Sequence, residues 1–262
     1  MRYPAAIGFY PGNKEELISL IKKFITNDEK INAKAAIVPH AGYIYSGSVA
    51  GKVYSKLKTD KKTFLIAGPN HTGIGKKIAL SQEDWLTPLG VVKTKRFNKL
   101  EIDESAHIYE HSIEVQVPFL QLLFKNFEIL PICLSYLSFK EIEEIVEKLI
   151  DEEFFYVASS DFTHYGPMYD YEPFSGSRKK ILEEVRKIDR KAINFIEKLE
   201  ARKFYNFVLE KNLTICGFIP ITLILLIAKK IGAEKGILVK YSTSYEITKN
   251  SSFVAYAGII IV

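Results

Sequence analysis

The sequence predicts an α/β fold: a single domain over residues 1–262, with a central, mainly parallel or mixed sheet flanked by helices. Apolar runs typical of buried strands alternate along the chain with segments of helical periodicity. Some of these runs, such as residues 64–67 and 154–158, are too continuously apolar for strands with one face in water, which is typical of parallel sheets. No linker-like segment or change of composition divides the chain, so we expect one domain.

The N-terminal half alternates helical and strand-like patterns. Apolar residues at helical spacing predict a first helix over residues 14–25, and Ala-Ala-Ile-Val at 35–38 predicts a short strand. Helical spacing returns near 47–58. A buried strand is predicted at 63–67, followed by less regular β-like segments near 77–81 and 90–94.

The C-terminal half continues the alternation. A helix is expected over roughly 112–125, interrupted or begun at Pro118, whose ring does not suit a helix interior. Apolar runs predict strands, and apolar residues at helical spacing predict helices. The strands are 127–134, 154–159, 236–242 and 252–262, and the helices are 139–150, 176–198, 201–210 and 219–231.

Composition restricts the class of protein. The chain is 47% hydrophobic with a mean hydropathy of +0.02, ordinary for a soluble protein, and it has no apolar run long enough to span a membrane. The N-terminus lacks the apolar region of a signal peptide, so we expect a cytoplasmic protein. The net charge of +5 comes from bases spread among acids, which argues against nucleic-acid binding. Two distant cysteines do not predict a disulfide.

Three predicted strands are each followed by a histidine in a turn marked by Gly or Pro. His40 follows in PHAG, His71 in GPNHTG, and His164 in SSDFTHYG, where Asp161 precedes it. Ligand and catalytic residues concentrate at the carboxyl edge of parallel sheets. A hydrogen bond to its own loop would explain any one of these histidines, but three together favour a site.

Two histidines and one anionic side chain are a common ligand set for a divalent transition metal. Cys216 is a candidate for the anion, because it lies beside Gly217 just before a strongly apolar helix. A thiol near a helix N-terminus or a metal shifts toward thiolate. The alternative for Cys216 is an inert buried thiol, which is the expected state of Cys133 in its strand-like run.

A second histidine pair gives a weaker signal. His107 and His111 have the i, i+4 spacing that can bind a metal on a helix, but the adjoining Glu of the zincin motif is absent. We expect surface or supporting roles for this pair.

Motifs are spread over nearly the whole chain. They are FYPG at 9–12, PHAGYIYSG at 39–47, GPNHTG at 68–73, WLTPLG at 85–90, EHSIEVQVPFL at 110–120, SSDFTHYG at 159–166, CG at 216–217, the closing YSTSYEI, and VAYAG at 254–258. This series resembles the Memo family, the archaeal and bacterial relatives of the eukaryotic mediator of cell motility. The family resembles the class III extradiol dioxygenases in fold, which are non-haem iron enzymes that open catechol rings.

The resemblance implies a mononuclear metal site. His40 and His71 match the family's two metal-binding histidines, Cys216 matches its third ligand, and His164 matches the acid–base histidine of the dioxygenases. The ring-opening enzymes complete their iron site with a carboxylate, whereas this chain offers a thiol. A thiolate favours softer metals, so ring cleavage does not carry over with the fold.

The resemblance extends to neighbouring residues and to partners. Asp161 and His111 fall in family motifs that face the same cleft, whereas His107 has no matching place. In many prokaryotes the family is linked with a radical S-adenosylmethionine protein and another small protein. We expect a small molecule or a peptide in the cleft, and neither nucleic acid nor a membrane as partner.

Three functions remain open from the sequence. The first is a metal oxidoreductase with iron(II), or copper or zinc, in which His164, oriented by Asp161, moves a proton. The second is a metal-free hydrolase or transferase with Cys216 as nucleophile and the same His and Asp as base and orienting group. The third is a peptide-binding adaptor module whose pocket is lined by aromatic residues: Tyr43, Tyr45, Trp85 and Tyr165.

Overall fold

The computed structural model describes residues 1–262 and contains twelve strands and eight α-helices. The strands are β1 (Ile31–Asn32), β2 (Ala35–Val38), β3 (Leu57–Lys58), β4 (Thr63–Pro69), β5 (Ile78–Leu80), β6 (Trp85–Thr87), β7 (Gly90–Thr94), β8 (Glu128–Leu134), β9 (Phe154–Ser159), β10 (His164–Tyr165), β11 (Gly236–Thr243) and β12 (Phe253–Ile261). The helices are α1 (Lys14–Phe24), α2 (Tyr43–Lys56), α3 (Val117–Leu123), α4 (Phe139–Leu149), α5 (Arg178–Glu197), α6 (Ala201–Glu210), α7 (Phe218–Lys230) and α8 (Tyr245–Thr248).

Ten of the strands form one mixed sheet whose centre is parallel. The main path runs β10-β12-β2-β9-β4-β8-β7-β6, with β11 paired to β12 and β5 to β8. The contacts β2–β9, β9–β4, β4–β8 and β8–β7 are parallel, whereas β12 is antiparallel to β2 and β11. The predicted α/β class and its mainly parallel sheet are confirmed. In this order, the carboxyl ends of β2, β9 and β4 lie next to one another.

Helices cover both faces of the sheet because the side chains of each central strand alternate between two cores. In β4, Phe64 and Ile66 belong to one core, which also receives buried residues of α1, α2 and α3. Leu65 and Ala67 belong to the other core, which is larger and is closed by α4, α5, α6 and α7. Burial on both faces explains why this strand reads as a continuous apolar run.

Two predicted helices differ from the structure by more than two residues at one end. Helix α2 begins at Tyr43, earlier than the predicted residue 47, because the Tyr43 N–H donates to the Phe9 carbonyl at 2.8 Å and so satisfies one free donor of the first turn. In the predicted segment 112–125, a 3₁₀ turn at Glu114–Gln116 precedes α3. Pro118 lies in the first turn of α3, where a missing N–H costs nothing.

None of the eight helices combines the length and the apolar composition that crossing a membrane requires. The apolar helix α7 is short and almost wholly buried, and it packs against α4, α6 and the sheet. Its apolar sequence therefore reflects its place inside the larger core.

Candidate metal centre

The turns after β2 and β4 bring two predicted ligands together. His40 lies two residues beyond β2 and His71 two residues beyond β4, at the same edge of the sheet. Their ring centroids are 5.1 Å apart with the rings nearly perpendicular. His40 is buried, whereas 35% of the His71 side chain is exposed. The two imidazoles therefore converge as the strand order requires, and one of them faces the solvent side.

Cys216 reaches the same point from the turn before α7. Its Sγ lies 3.2 Å from His40 Nε2, and the ligand atoms of His40, His71 and Cys216 all lie within 4.8 Å of one another. A Cβ on the following residue, Gly217, would lie 2.5 Å from the Ser159 carbonyl oxygen. Glycine at 217 is thus what allows the cysteine turn to pack against the end of β9. These three residues form a group that could bind a metal ion.

A hydroxyl sets the orientation of His40. The Ser159 Oγ donates to the Ser112 carbonyl at 2.6 Å, so its lone pairs are free to accept from other groups. They accept from Gln116 Nε2 at 2.8 Å and from His40 Nδ1 at 3.0 Å. The His40 proton therefore lies on Nδ1, and the lone pair of Nε2 points to Cys216. That tautomer is the one a metal ligand needs.

A buried carboxylate sets the orientation of His71. Glu110 Oε1 lies 2.9 Å from His71 Nδ1, and Glu110 Oε2 accepts the His71 backbone N–H at 2.6 Å. Glu110 Oε1 also accepts the Ser112 N–H at 2.8 Å. A carboxylate on the outer nitrogen of a histidine is a common support for metal ligands, because it fixes the ring and raises its basicity.

The electrostatics of the group keep protons on the Cys216 sulfur and on the His71 imidazole. Burial raises the pKa of the Cys216 thiol. Burial, together with the charges of His71 and other histidines, lowers the pKa of His40 well below its usual range. Burial also opposes charge on His71, but hydrogen bonds to Cys216 and Glu110 outweigh it and raise its pKa to about 10. A metal ion binding here must displace these protons, so its affinity rises with pH.

His164 lies beside this group, and the backbone orients it. Its Nδ1 lies 2.9 Å from the Phe162 carbonyl and 2.8 Å from the Thr214 carbonyl, so Nδ1 is the donor and Nε2 is left for other partners. Tyr169 packs edge-on against the ring at 5.0 Å. The imidazole is therefore held as a proton acceptor without being tied to Cys216.

Asp161 makes different contacts from the predicted ones. Its Oδ1 accepts the backbone N–H groups of His40 and Ala41, at 2.8 and 3.3 Å. The carboxyl thus ties the turn after β2 to the turn after β9, and backbone carbonyls, rather than Asp161, hold the ring of His164. Burial raises the pKa of Asp161.

The second histidine pair divides between the cleft and the core. His111 is stacked between Phe9 and His71, with ring centroids at 4.1 and 4.8 Å. His107 is fully buried, where its Nε2 donates to the Ala79 carbonyl at 3.0 Å. The two are not on one helix, because a 3₁₀ turn ends before His107. His107 is therefore a structural residue of the core. The expectation of a surface or supporting role is corrected for this residue.

Three aromatic residues predicted to line the pocket lie in the core instead. Each side chain is almost fully buried and its polar atom is satisfied inside the protein. The Tyr43 hydroxyl donates to the Val115 carbonyl, the Trp85 indole N–H to Ser81 Oγ, and the Tyr165 hydroxyl to the Phe174 carbonyl. Tyr45, in contrast, is half-buried and packs beside Val49, Val254 and Tyr256. The aromatic residues in contact with the cleft histidines are Phe9 and Tyr169.

Several supporting residues were not found from the sequence. Glu110 lies in the motif EHSIEVQVPFL, but its contact with His71 spans 39 residues and no spacing rule indicates it. Ser159 is an ordinary strand residue in the sequence, and Thr214 an ordinary loop residue. The available signals were the family motifs for Glu110 and Ser159 and, for Thr214, a position two residues before Cys216.

Comparison with known proteins agrees with the motifs. The family model described as "Memo-like protein" matches residues 2–260. A "MEMO1 family protein" of Aquifex aeolicus is 40% identical over 278 residues, covering 99% of this chain and 98% of the relative. Proteins of the same description from Archaeoglobus fulgidus and Methanococcoides burtonii are 38% and 39% identical, the former over 99% and the latter over 100% of both chains. The chain therefore belongs to the Memo family.

Proposed function

We propose that this protein is a mononuclear metal-dependent oxidoreductase in which His40, His71 and Cys216 bind the metal and His164 transfers a proton. One observation carries the proposal. Two imidazoles and one thiol converge on a point, and each imidazole is held through Nδ1 so that Nε2 is available to an ion. In a chance cluster of polar residues, there would be no reason for the Nδ1 atoms of both His40 and His71 to have hydrogen-bond acceptors.

The donor set fits a transition metal and restricts its identity. Two nitrogens and one thiolate suit iron(II), copper or zinc better than magnesium or calcium. Iron(II) is the metal implied by the likeness to extradiol dioxygenases, whereas the thiolate favours softer ions. When bound, the metal would supply Lewis-acid and electron-transfer chemistry.

The protein's own groups would handle substrate and protons. His164 is partly exposed and its Nε2 is not used by either carbonyl, so it can accept a proton from a bound hydroxyl group. The carbonyls of Phe162 and Thr214 hold its other nitrogen and would stabilise the imidazolium that forms. Phe9 and Tyr169 offer apolar surface beside the histidines, which suits a small organic substrate.

The hydrolase alternative has less support. A Cys216 nucleophile needs a base within hydrogen-bond reach, and the imidazoles that hydrogen-bond to it are the two proposed metal ligands, His40 at 3.2 Å and His71. His164 forms no hydrogen bond with the thiol. Burial also raises the pKa of Cys216, which disfavours the thiolate that such a nucleophile requires.

The adaptor alternative also loses support. Tyr43, Trp85 and Tyr165, which were to line a peptide pocket, are core residues. The partnership with a radical S-adenosylmethionine protein and the cytoplasmic location stay predictions, which pull-down from the native host and cell fractionation would test.

Elemental analysis of untagged protein purified without oxygen tests the proposal. We expect at least one iron or copper per chain, with one ion fewer in Cys216→Ser than in Cys133→Ala, which removes the other thiol from a buried strand. Metal-free wild-type protein would contradict the proposal, and so would equal metal content in the two variants.

A further inference from the structure

A second group of metal-binding side chains lies against the first. His71, Glu110 and His111 each offer one ligand atom, and these atoms lie within 4.8 Å of one another. The two groups share His71, whose ring nitrogens face opposite sides: Nδ1 faces Glu110, so Nε2 is left for the first group. We propose that His71, Glu110 and His111 form a second metal site, with the His71 ring bridging two ions.

The donor distances suit one ion. Two ligands at about 2.1 Å from an ion, with angles of about 90 to 110° between them, lie about 3.0 to 3.4 Å apart. Glu110 Oε1 is 2.9 Å from His71 Nδ1 and 3.5 Å from His111 Nδ1. Small adjustments of the side chains would bring all three atoms into bonding distance of the same ion.

Glu110 keeps a lone pair for this ion. A carboxylate offers about four lone-pair positions. Two of them are occupied by backbone donors, the His71 N–H on Oε2 and the Ser112 N–H on Oε1. The remaining position on Oε1 faces the two imidazoles. The backbone contacts fix the carboxylate in place, which reduces the ordering cost of binding an ion.

Stacking orients the third ligand. The His111 ring lies between Phe9 and His71, 18° from parallel to the latter. The side chain is 19% exposed and that of His71 is 35% exposed, so an ion has access from solvent. Glu110 itself is buried. The site therefore has one fixed anionic ligand at its base and two imidazoles at its mouth.

The two sites differ in chemistry. Two histidines and a carboxylate are the ligand set of many non-haem iron(II) sites, and they also suit zinc or manganese. The first group contains a thiol, which favours softer ions once it binds as the thiolate. An ion at the second site replaces the proton on His71 Nδ1, and that proton leaves to solvent, so with both ions bound the His71 ring is an imidazolate. The second site shares His71 with the proposed metal centre but uses neither Cys216 nor His40.

Cobalt(II) is a suitable probe because it absorbs strongly when a thiolate binds it. Metal-stripped protein would be titrated with cobalt without oxygen, with the thiolate band recorded by absorption and the total bound cobalt measured by equilibrium dialysis. We expect two cobalt ions per wild-type chain, one of which produces the band. His111→Phe keeps the stacked ring but removes the ligand, so we expect one ion with the band.

Two further variants separate this proposal from the proposed function. Cys216→Ser should bind one cobalt ion without the band, and His71→Ala should bind neither ion tightly. A single ion in the wild type that produces the band, or unchanged stoichiometry in His111→Phe, overturns the second site. A single ion without the band that is lost in His111→Phe would support the second site and contradict the first.

Discussion

At the scale of single residues, the three imidazoles that follow β2, β4 and β9 are oriented in the same way. Each is held through Nδ1: His40 by a hydroxyl, His71 by a carboxylate and His164 by backbone carbonyls. The different acceptors suit different roles, because a carboxylate strengthens a metal ligand and carbonyls stabilise an imidazolium. The sequence indicates the histidines but not these acceptors, which come from distant parts of the chain.

The roles of two histidines can be separated by substitution. His40→Ala removes a proposed metal ligand and should abolish tight binding of the ion that Cys216 also binds. His164→Ala should retain the metal, while turnover of a substrate, once one is found, should fall by about 100-fold or more. Metal content and turnover would be measured on the same preparations. Loss of metal in His164→Ala would make this residue a ligand, and no effect on either quantity would make it structural.

Glu110 should control the strength of metal binding. Glu110→Gln removes the charge that supports His71 and should weaken metal binding by about 10- to 100-fold. The side-chain NH2 of the new glutamine also faces one of the two backbone N–H groups that Glu110 accepts, and two donors cannot pair. The free energy of unfolding should therefore fall by about 1–3 kcal/mol. Competition with a chelator gives the affinity, and Glu101→Gln, at an exposed ion pair, is the control. Equal affinity in the two variants would remove Glu110 from this role.

At the scale of elements, the predictions succeed where local pattern decides the structure. The continuous apolar run of β4 results from burial on both faces, and such a run is visible in the sequence. The start of α2 at Tyr43 depends on a carbonyl of Phe9, 34 positions away, and no local pattern carries that information. The same limit applies to Trp85, whose ring is covered by Arg2, far away in the sequence.

Helix α5 supports the turn that carries His164 through a buried acid. Asp189 accepts hydrogen bonds from the Thr163 hydroxyl at 2.6 Å and the Tyr241 hydroxyl at 2.7 Å, which link α5 to that turn and to β11. Burial raises the pKa of Asp189 to about 6, from an ordinary value of 3.8. A raised acid pKa means that the folded state binds this proton more tightly than the unfolded state does.

This shift predicts a pH-dependent gain in stability for Asp189→Asn. Because the folded pKa is the higher one, the ionised carboxyl costs stability as pH rises from about 4 through about 6, and the cost approaches about 3 kcal/mol at pH 7. The amide cannot ionise, so the variant should gain stability relative to wild type over that range. Urea denaturation at pH 4.5 and pH 7 measures the difference. A difference that does not change with pH would contradict the prediction.

At the scale of the whole molecule, strand order turns separate motifs into one site. PHAG, GPNHTG and SSDFTHYG are far apart in the sequence, but they follow β2, β4 and β9, which are neighbours in the sheet. The rule that ligands bind at the carboxyl edge of parallel strands made this edge predictable. The position of Cys216 followed from family resemblance, because the turn before α7 approaches β9 through tertiary packing alone.

The N-terminal segment is tied to the same region by a buried ion pair. Arg2 donates to Glu114, and through other nitrogens to the carbonyls of His107 and Glu110, at 2.7 and 2.6 Å. Its guanidinium also lies 4.0 Å from the centre of the Trp85 ring. Both charged side chains of the pair are almost fully buried. One arginine therefore joins the first residues of the chain to the segment that carries Glu110.

Removal of this arginine should be among the more costly single changes in the protein. Arg2→Ala leaves the Glu114 carboxylate buried without its partner, and we expect a loss of about 3–5 kcal/mol in the free energy of unfolding. Arg2→Lys should recover only part of it, because an ammonium group cannot reproduce the three-way contact of a planar guanidinium. Lys76→Ala, which breaks an exposed pair with Glu101, should cost less than about 1 kcal/mol. Urea denaturation compares the three variants, and a similar small loss for Arg2→Ala and Lys76→Ala would show that the buried pair does not hold the segment.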